Sequence, residues 1–113
     1  MNHGFPNDAD GDALRRLVDA GNDLSKPMTI EFQVAVPDEA AARRLGEAAL
    51  KVGYEVAIYA SPECSLPWTC ECSKTMRATH EGVLAKQAEL TELASPFGGY
   101  PDGWGTLGNK SDE

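Results

Sequence analysis

The stretch PMTIEFQVAV at residues 27–36 decides the fold class. Its apolar residues alternate with other residues without a break, which is the period-two pattern of a strand with one buried face. The buried set is predicted to be Met28, Ile30, Phe32, Val34 and Val36. A strand of this kind belongs to a sheet that is covered on one side only.

Helical periodicity lies on both sides of this strand. The first helix is predicted over residues 8–20, with acids in its first turn. The second begins at residues 37–39, with Asp38 as a possible N-cap, and ends at Gly53. Its buried stripe is predicted to be Ala41, Leu45, Ala48, Ala49 and Val52. The third begins at residue 79 or 80, and its apolar side is Val83, Leu84, Leu90, Leu93 and Ala94.

Further strands are predicted at residues 54–59 and 68–77, and a short edge strand within residues 100–107. A helix followed by β-α-β-β-α and a last strand matches the ferredoxin-like split βαβ order. We therefore expect an α+β fold: a ferredoxin-like antiparallel sheet with helices on one face, an extra N-terminal helix and an open second face. One domain is expected over residues 5–107, followed by a polar tail at residues 108–113.

Charge restricts the class of partner. Eighteen acidic residues against ten basic ones give a net charge of -8. Such a chain repels nucleic acid and anionic membranes and favours basic partners. No apolar run approaches the roughly 20 residues of a membrane helix, and the first residues lack the pattern of a secretory signal.

The three cysteines are Cys64, Cys70 and Cys72. An odd count is a poor disulfide framework, which favours a reducing, cytoplasmic setting. Cys70 and Cys72 alternate in a predicted strand, so both are expected to be small core residues on one face, whereas Cys64 is the expected exposed thiol. A zinc site is the alternative, and His3 and His80, the only histidines, would have to complete it. No metal or cofactor is expected.

The same alternation places Glu31, Glu55 and Glu71 on the open face of the sheet. They are either an ordinary solvated face or a binding surface. The face lacks the aromatic run with which RNA-binding domains of this topology stack bases, so direct nucleic-acid binding is not expected.

Asp8, Asp10 and Asp12 have the spacing of the first ligands of a calcium loop. The pattern then fails, because the sixth and twelfth positions hold Ala13 and Asp19 rather than Gly and Glu. Acids at a helix N-terminus explain the cluster. We also predict that these aspartates, with the three glutamates of the open face, bind a basic partner electrostatically.

Trp104 stands between two glycines in the last predicted strand. It either closes the edge of the core or serves as an exposed aromatic anchor for a partner. His80, at a helix start, is predicted to be a capping or surface residue, because no nucleophile is recognisably paired with it.

Several segments together resemble the regulator of ribonuclease activity B family. They are NDADGD at residues 7–12 with ALRRL after it, KPM at 26–28, VPDEAA at 36–41, TM at 75–76, THE at 79–81 and YPDGWGT at 100–106. Two features depart from the family's pattern: Pro101 is inserted in the last segment, and cysteines stand where apolar residues are usual.

The resemblance implies a ferredoxin-like, non-enzymatic protein that inhibits ribonuclease E. Such a protein binds the Arg-rich scaffold region of that enzyme and alters degradosome composition and RNA turnover, and no catalytic residues come with the family. The alternatives are an acidic domain of the same fold with another basic partner, of an immunity or stress-response kind, or a small enzyme or metal protein.

Overall fold

The computed structural model describes residues 8–63, 66–106 and 108–109. Within these residues three α-helices and four strands follow the predicted order, which confirms the α+β class. The elements are α1 (Ala9–Asp19), β1 (Pro27–Val36), α2 (Glu39–Lys51), β2 (Glu55–Ala60), β3 (Trp68–Arg77), α3 (His80–Ala94) and β4 (Tyr100–Thr106). A 3-10 turn, Ser95–Phe97, leads from α3 to β4.

The strands form one antiparallel sheet in the order β2-β3-β1-β4. β1 pairs with β3 over its full length, from Pro27 opposite Arg77 to Val36 opposite Trp68. β3 thus lies between β1 and β2, although α2 connects those two strands along the chain. This is the split βαβ arrangement, and the ferredoxin-like prediction is confirmed.

Each helix begins at a polar residue whose side chain accepts a hydrogen bond from a backbone N–H three residues further on. These caps are Asp8, Asp38 and Thr79. A cap of this kind is worth typically about 1 kcal/mol. Gly21 and Gly53 follow α1 and α2 with φ of 98°, a left-handed conformation that favours glycine.

All three helices cover the same face of the sheet. The apolar face of β1 is fully buried, with Phe32 at its centre. Leu14 of α1, Leu45 of α2 and Leu90 of α3 belong to the same core cluster. The opposite face of the sheet is therefore the open one.

Cys70 and Cys72 are fully buried on the helix-facing side of β3, as predicted, with their Sγ atoms 3.8 Å apart. Their mutual hydrogen bond and burial raise the pKa of the Cys72 thiol. The same hydrogen bond lowers the pKa of the Cys70 thiol. The Cys72 thiol is therefore a protonated part of the core at neutral pH. Cys64, the expected exposed thiol, lies outside the described residues.

Val52 and Leu84 were predicted to be buried, but they are 41% and 44% exposed. Val52 is the C-cap of α2, where the backbone already turns away from the helix axis. Leu84 is displaced around the helix from Val83 and Leu90, which carry the contact with the sheet. The apolar stripes of both helices are narrower than their sequences indicate.

Candidate protein-binding face

The structure brings the three predicted glutamates together on the open face. Ser73 of β3 is the register partner of both Glu31 on β1 and Glu55 on β2, so two glutamates flank one serine across three strands. Glu71 lies two residues from Ser73 on the same strand and the same face. Side chains directly opposite each other on neighbouring strands are about 5 Å apart at Cβ, so the three carboxylates share a patch roughly 10 Å across. We call Glu31, Glu55 and Glu71 the acidic patch.

Neutral polar side chains surround the acidic patch. Gln33 donates a hydrogen bond from Nε2 to Oε2 of Glu71 at 3.3 Å. On the other side of Ser73, the hydroxyls of Thr29 and Thr75 are 3.0 Å apart. Among the described strand residues on this face the one basic side chain is Arg77, at the far end of β3. The patch therefore has little internal charge compensation.

β4 leaves the side of the patch next to Glu31 uncovered. Gly105 is the register partner of Glu31, and Gly103 is the partner of Gln33. A Cβ atom placed on either glycine would meet no other atom within 4 Å. A partner can approach Glu31 over bare backbone at this edge.

A depression of about 290 Å³ lies beside Glu55, lined by Thr29, Gly53, Glu55, Ser73, Lys74 and Thr75. The Lys74 ammonium donates to the carbonyl of Val52 at 3.2 Å and lies 4.7 Å from the centroid of the Tyr54 ring. These contacts hold the lysine charge at the C-terminal end of α2. Besides Lys74, the lining combines one carboxylate with three hydroxyl groups, all of which can accept hydrogen bonds from a guanidinium or ammonium group of a partner.

The N-terminal aspartates lie on the helical side of the molecule and have partners there. Asp8 caps α1, and its Oδ2 is 3.0 Å from Nε2 of His80 at the start of α3. The backbone N–H of Gly11, and then the His80 ring, lower the pKa of the Asp8 carboxyl. Asp12 forms an ion pair with Arg15 one turn further along α1.

Trp104 connects the last strand to the first helix. Its register partner is Phe32, so its side chain lies on the helix-facing side of the sheet. The indole Nε1–H donates to Oδ1 of Asp10 at 2.8 Å, and the ring packs against the core cluster. Gln87 of α3 also approaches Asp10, with Nε2 at 3.4 Å from each carboxylate oxygen. This geometry is that of a residue closing the edge of the core.

The predicted site residues thus fall into two groups on opposite sides of the sheet. The acidic patch is on the open face, and the aspartates and Trp104 are on the helical side. The bonds from Asp8 to His80 and from Asp10 to Trp104 join residues 72 and 94 positions apart. Local periodicity carries no signal for contacts at such separations, so sequence reasoning could not find them.

His80 is held by Asp8, at the start of α3, in the capping region where it was expected. No group of three or more His, Cys, Asp or Glu side chains in the described parts of the chain is placed to hold a metal ion. No helix in those parts is long and apolar enough to cross a membrane. Among the described residues, the candidate binding feature is a surface, the acidic patch.

The fold and the patch together define an acidic, ferredoxin-like α+β domain with an open sheet face. The family model described as regulator of ribonuclease activity B matches residues 7–106. Since this match spans most of the chain, the protein belongs to that family, and regulation of ribonuclease activity is its functional class. A search of curated proteins found no significant match.

Proposed function

We propose that this protein is a non-enzymatic, cytoplasmic regulator that binds the Arg-rich scaffold region of an endoribonuclease of the ribonuclease E type. The observation that carries the proposal is the acidic patch, in which Glu31 and Glu55 flank Ser73 and Glu71 lies alongside. By occupying the scaffold region, the protein would change which other proteins assemble on the nuclease and so alter RNA degradation.

Electrostatics supports an arginine-rich partner. A net charge of -8 attracts a basic segment over a distance, and complementary charge speeds association. At contact, arginine can donate two parallel hydrogen bonds to one carboxylate, which lysine cannot do. The acidic patch therefore favours arginine over lysine, and both the rate of association and the affinity fall as salt is added.

The decisive experiment measures binding of a peptide from the Arg-rich scaffold region to the wild type and to the triple variant Glu31→Gln, Glu55→Gln, Glu71→Gln. Each exposed ion pair is worth up to about 1 kcal/mol, so we expect the affinity of the variant to fall roughly tenfold or more at low salt. The thermal stability of the variant should be unchanged within experimental error, because exposed charges contribute little to folding.

The matched control removes the same number of charges from the helical side, through Asp19→Asn, Glu81→Gln and Glu92→Gln, all exposed residues. The proposal is wrong if this control weakens binding as much as the open-face variant does, or if the affinity is the same at low and high salt. A wild type that ignores the Arg-rich peptide but retains another basic protein from a cytoplasmic extract would favour the alternative partner.

The N-terminal aspartates remain a second predicted contact for the same partner. They lie on the other side of the sheet, so the stretch of the partner that binds the acidic patch cannot also contact these aspartates. Asp8, Asp10 and Asp12 must therefore be tested by a separate triple variant, and its stability must be measured alongside its affinity.

A further inference from the structure

The two edges of the sheet are protected to very different degrees. At β4, the register with β1 shifts between Gln33 and Val34, which leaves Asp102 as a bulge, and Pro101 has no N–H to donate. Bulges and prolines are devices by which natural proteins block the addition of further strands at an edge. β2 has neither, because Glu55–Ala60 pairs with β3 residue for residue.

The outer edge of β2 presents backbone groups in a regular row. The Ser61 N–H donates to the Pro67 carbonyl at 2.7 Å, which marks these two residues as a hydrogen-bonded pair just beyond the strand. Such pairs alternate along an antiparallel ladder, so the backbone groups of Val56, Ile58 and Ala60 point away from β3. Within the described residues no strand pairs with this edge.

An apolar groove of about 340 Å³ runs along the helix-facing side of the same edge. Its lining is Arg43, Gly46, Glu47, Leu50, Val56 and Ile58. Leu50 is 58% exposed, so its side chain is accessible to a segment that enters the groove. A Cβ on Gly46 would lie 3.0 Å from Cγ1 of Val56, so the glycine lets α2 pass close to β2 and sets the floor of the groove.

The other side of this edge is acidic. Glu55 belongs to β2 itself, and Ala57 is the register partner of Glu71. A strand added beside β2 would point alternate side chains toward these glutamates and toward the apolar groove. The edge therefore selects a segment in which basic and apolar residues alternate.

We infer that the outer edge of β2 binds an extended segment of the partner ribonuclease, with alternating arginine and apolar residues, as a fifth strand of the sheet. This inference rests on the proposed function and specifies how the acidic patch would be used. Main-chain hydrogen bonds to Val56, Ile58 and Ala60 provide affinity. The glutamates and the groove provide specificity for the alternating basic and apolar side chains of the bound segment. A second copy of this chain is disfavoured as the occupant, because two chains of net charge -8 repel each other.

The test uses two synthetic peptides of identical composition, one alternating arginine with valine and the other with all its arginines first. We expect the alternating peptide to bind about tenfold more tightly, and to slow amide hydrogen exchange at Val56 and Ile58. Exchange at Ala57, whose N–H points toward β3, should change little. Equal binding of the two peptides, or unchanged exchange at Val56 and Ile58, would overturn the inference.

Single substitutions distinguish the contribution of the groove to peptide binding from that of the overall negative charge. Leu50→Gln should weaken the alternating peptide about tenfold, since it removes apolar surface from the groove, whereas Leu84→Gln, an exposed leucine on α3, should have no effect. Ala60→Pro removes an outward N–H without removing a bond to β3, and it should weaken binding without lowering the melting temperature.

The outcomes distinguish this inference from the proposed function. If the scaffold peptide binds in a salt-sensitive way that requires the acidic patch, but exchange at Val56 and Ile58 does not slow, the function stands and the fifth strand is wrong. If the scaffold peptide does not bind at all, both fail. Slow exchange at these amides in a peptide-free dimer would show that a second copy occupies the edge, which contradicts the inference.

Discussion

Tyr54 is 2% exposed, and its hydroxyl donates to Oε1 of Glu89 at 2.6 Å. This bond ties the start of β2 to α3. Burial, followed by the hydrogen bond and the charge of Glu89, raises the pKa of the phenol. The fold therefore requires the neutral form of this side chain.

We predict that Tyr54→Phe destabilises the protein by about 1.5–3 kcal/mol at neutral pH, because it removes a hydrogen bond from a buried hydroxyl to the charged carboxylate of Glu89. Since the folded pKa is raised, the neutral phenol stabilises the native state fully below pH about 10, and this contribution is lost as the pH rises further. Urea unfolding at neutral and alkaline pH measures both effects. An equal loss of stability at alkaline pH in the wild type and in Tyr54→Phe would contradict this account.

The cysteine pair allows a second prediction about single residues. Cys70→Ser or Cys72→Ser places a hydroxyl in an apolar site and should cost about 1–3 kcal/mol. Thiol labelling of the native protein should modify Cys64 first, because the sulfurs of Cys70 and Cys72 are fully buried. Rapid labelling of all three cysteines, or stoichiometric zinc in protein purified under reducing conditions, would show that the core interpretation is wrong.

At the scale of elements, α1 is held to the rest of the fold by polar bonds at its start as well as by Leu14. We predict that Trp104→Ala lowers the melting temperature markedly, because it removes both the ring from the edge of the core and the donor to Asp10. Truncating a buried aromatic residue costs up to about 3–5 kcal/mol, and this half-buried ring should cost less. Loss of partner binding with an unchanged melting temperature would instead identify Trp104 as an anchor.

The contribution of the Trp104–Asp10 hydrogen bond to stability can be measured with a double-mutant cycle. The variants are Trp104→Phe, Asp10→Asn and the two combined. The loss of stability in the double variant should differ from the sum of the two single losses. We expect this coupling free energy to be about 0.5 kcal/mol or more. Additive effects would mean that the bond contributes nothing and that only the packing of the ring matters.

The stability of the first turn of α1 should decrease at acid pH. The pKa of Asp8 is lowered in the folded protein, so its cap stabilises the helix above the ordinary aspartate range and is lost as the pH falls through the lower folded value. Amide exchange in the first turn of α1 should therefore accelerate at acid pH before the sheet opens. Asp8→Asn, which keeps a capping side chain, should remove most of this pH dependence.

At the scale of the whole molecule, the two groups of acidic residues should behave differently. The variant Asp8→Asn, Asp10→Asn, Asp12→Asn should lower the melting temperature, since all three carboxylates have partners on the helical side. The open-face variant Glu31→Gln, Glu55→Gln, Glu71→Gln should not. Thermal unfolding at equal ionic strength compares them, and equal melting temperatures would contradict the division of roles.

Much of the fold could be predicted because its signals are local. The alternation within residues 27–36, the caps at Asp38 and Thr79, and the glycines that follow α1 and α2 each depend on residues a few positions apart. The burial of Cys70 and Cys72 follows from the same alternation once the strand is recognised. The predicted burial of Val52 and Leu84 was wrong. The periodicity of a helix shows which residues are apolar, but not how wide the contact with the sheet will be.

The sequence by itself therefore determined the class of fold, the identity of the open face and the acidic character of the protein. Only the tertiary structure decided that Ser73 lies between Glu31 and Glu55, that Asp10 meets Trp104, and that β2 is the unprotected edge. The physical reason is that the order and register of strands depend on pairing between segments far apart in the chain. That pairing is settled by how the helices and the sheet pack together as a whole, and no local pattern specifies it.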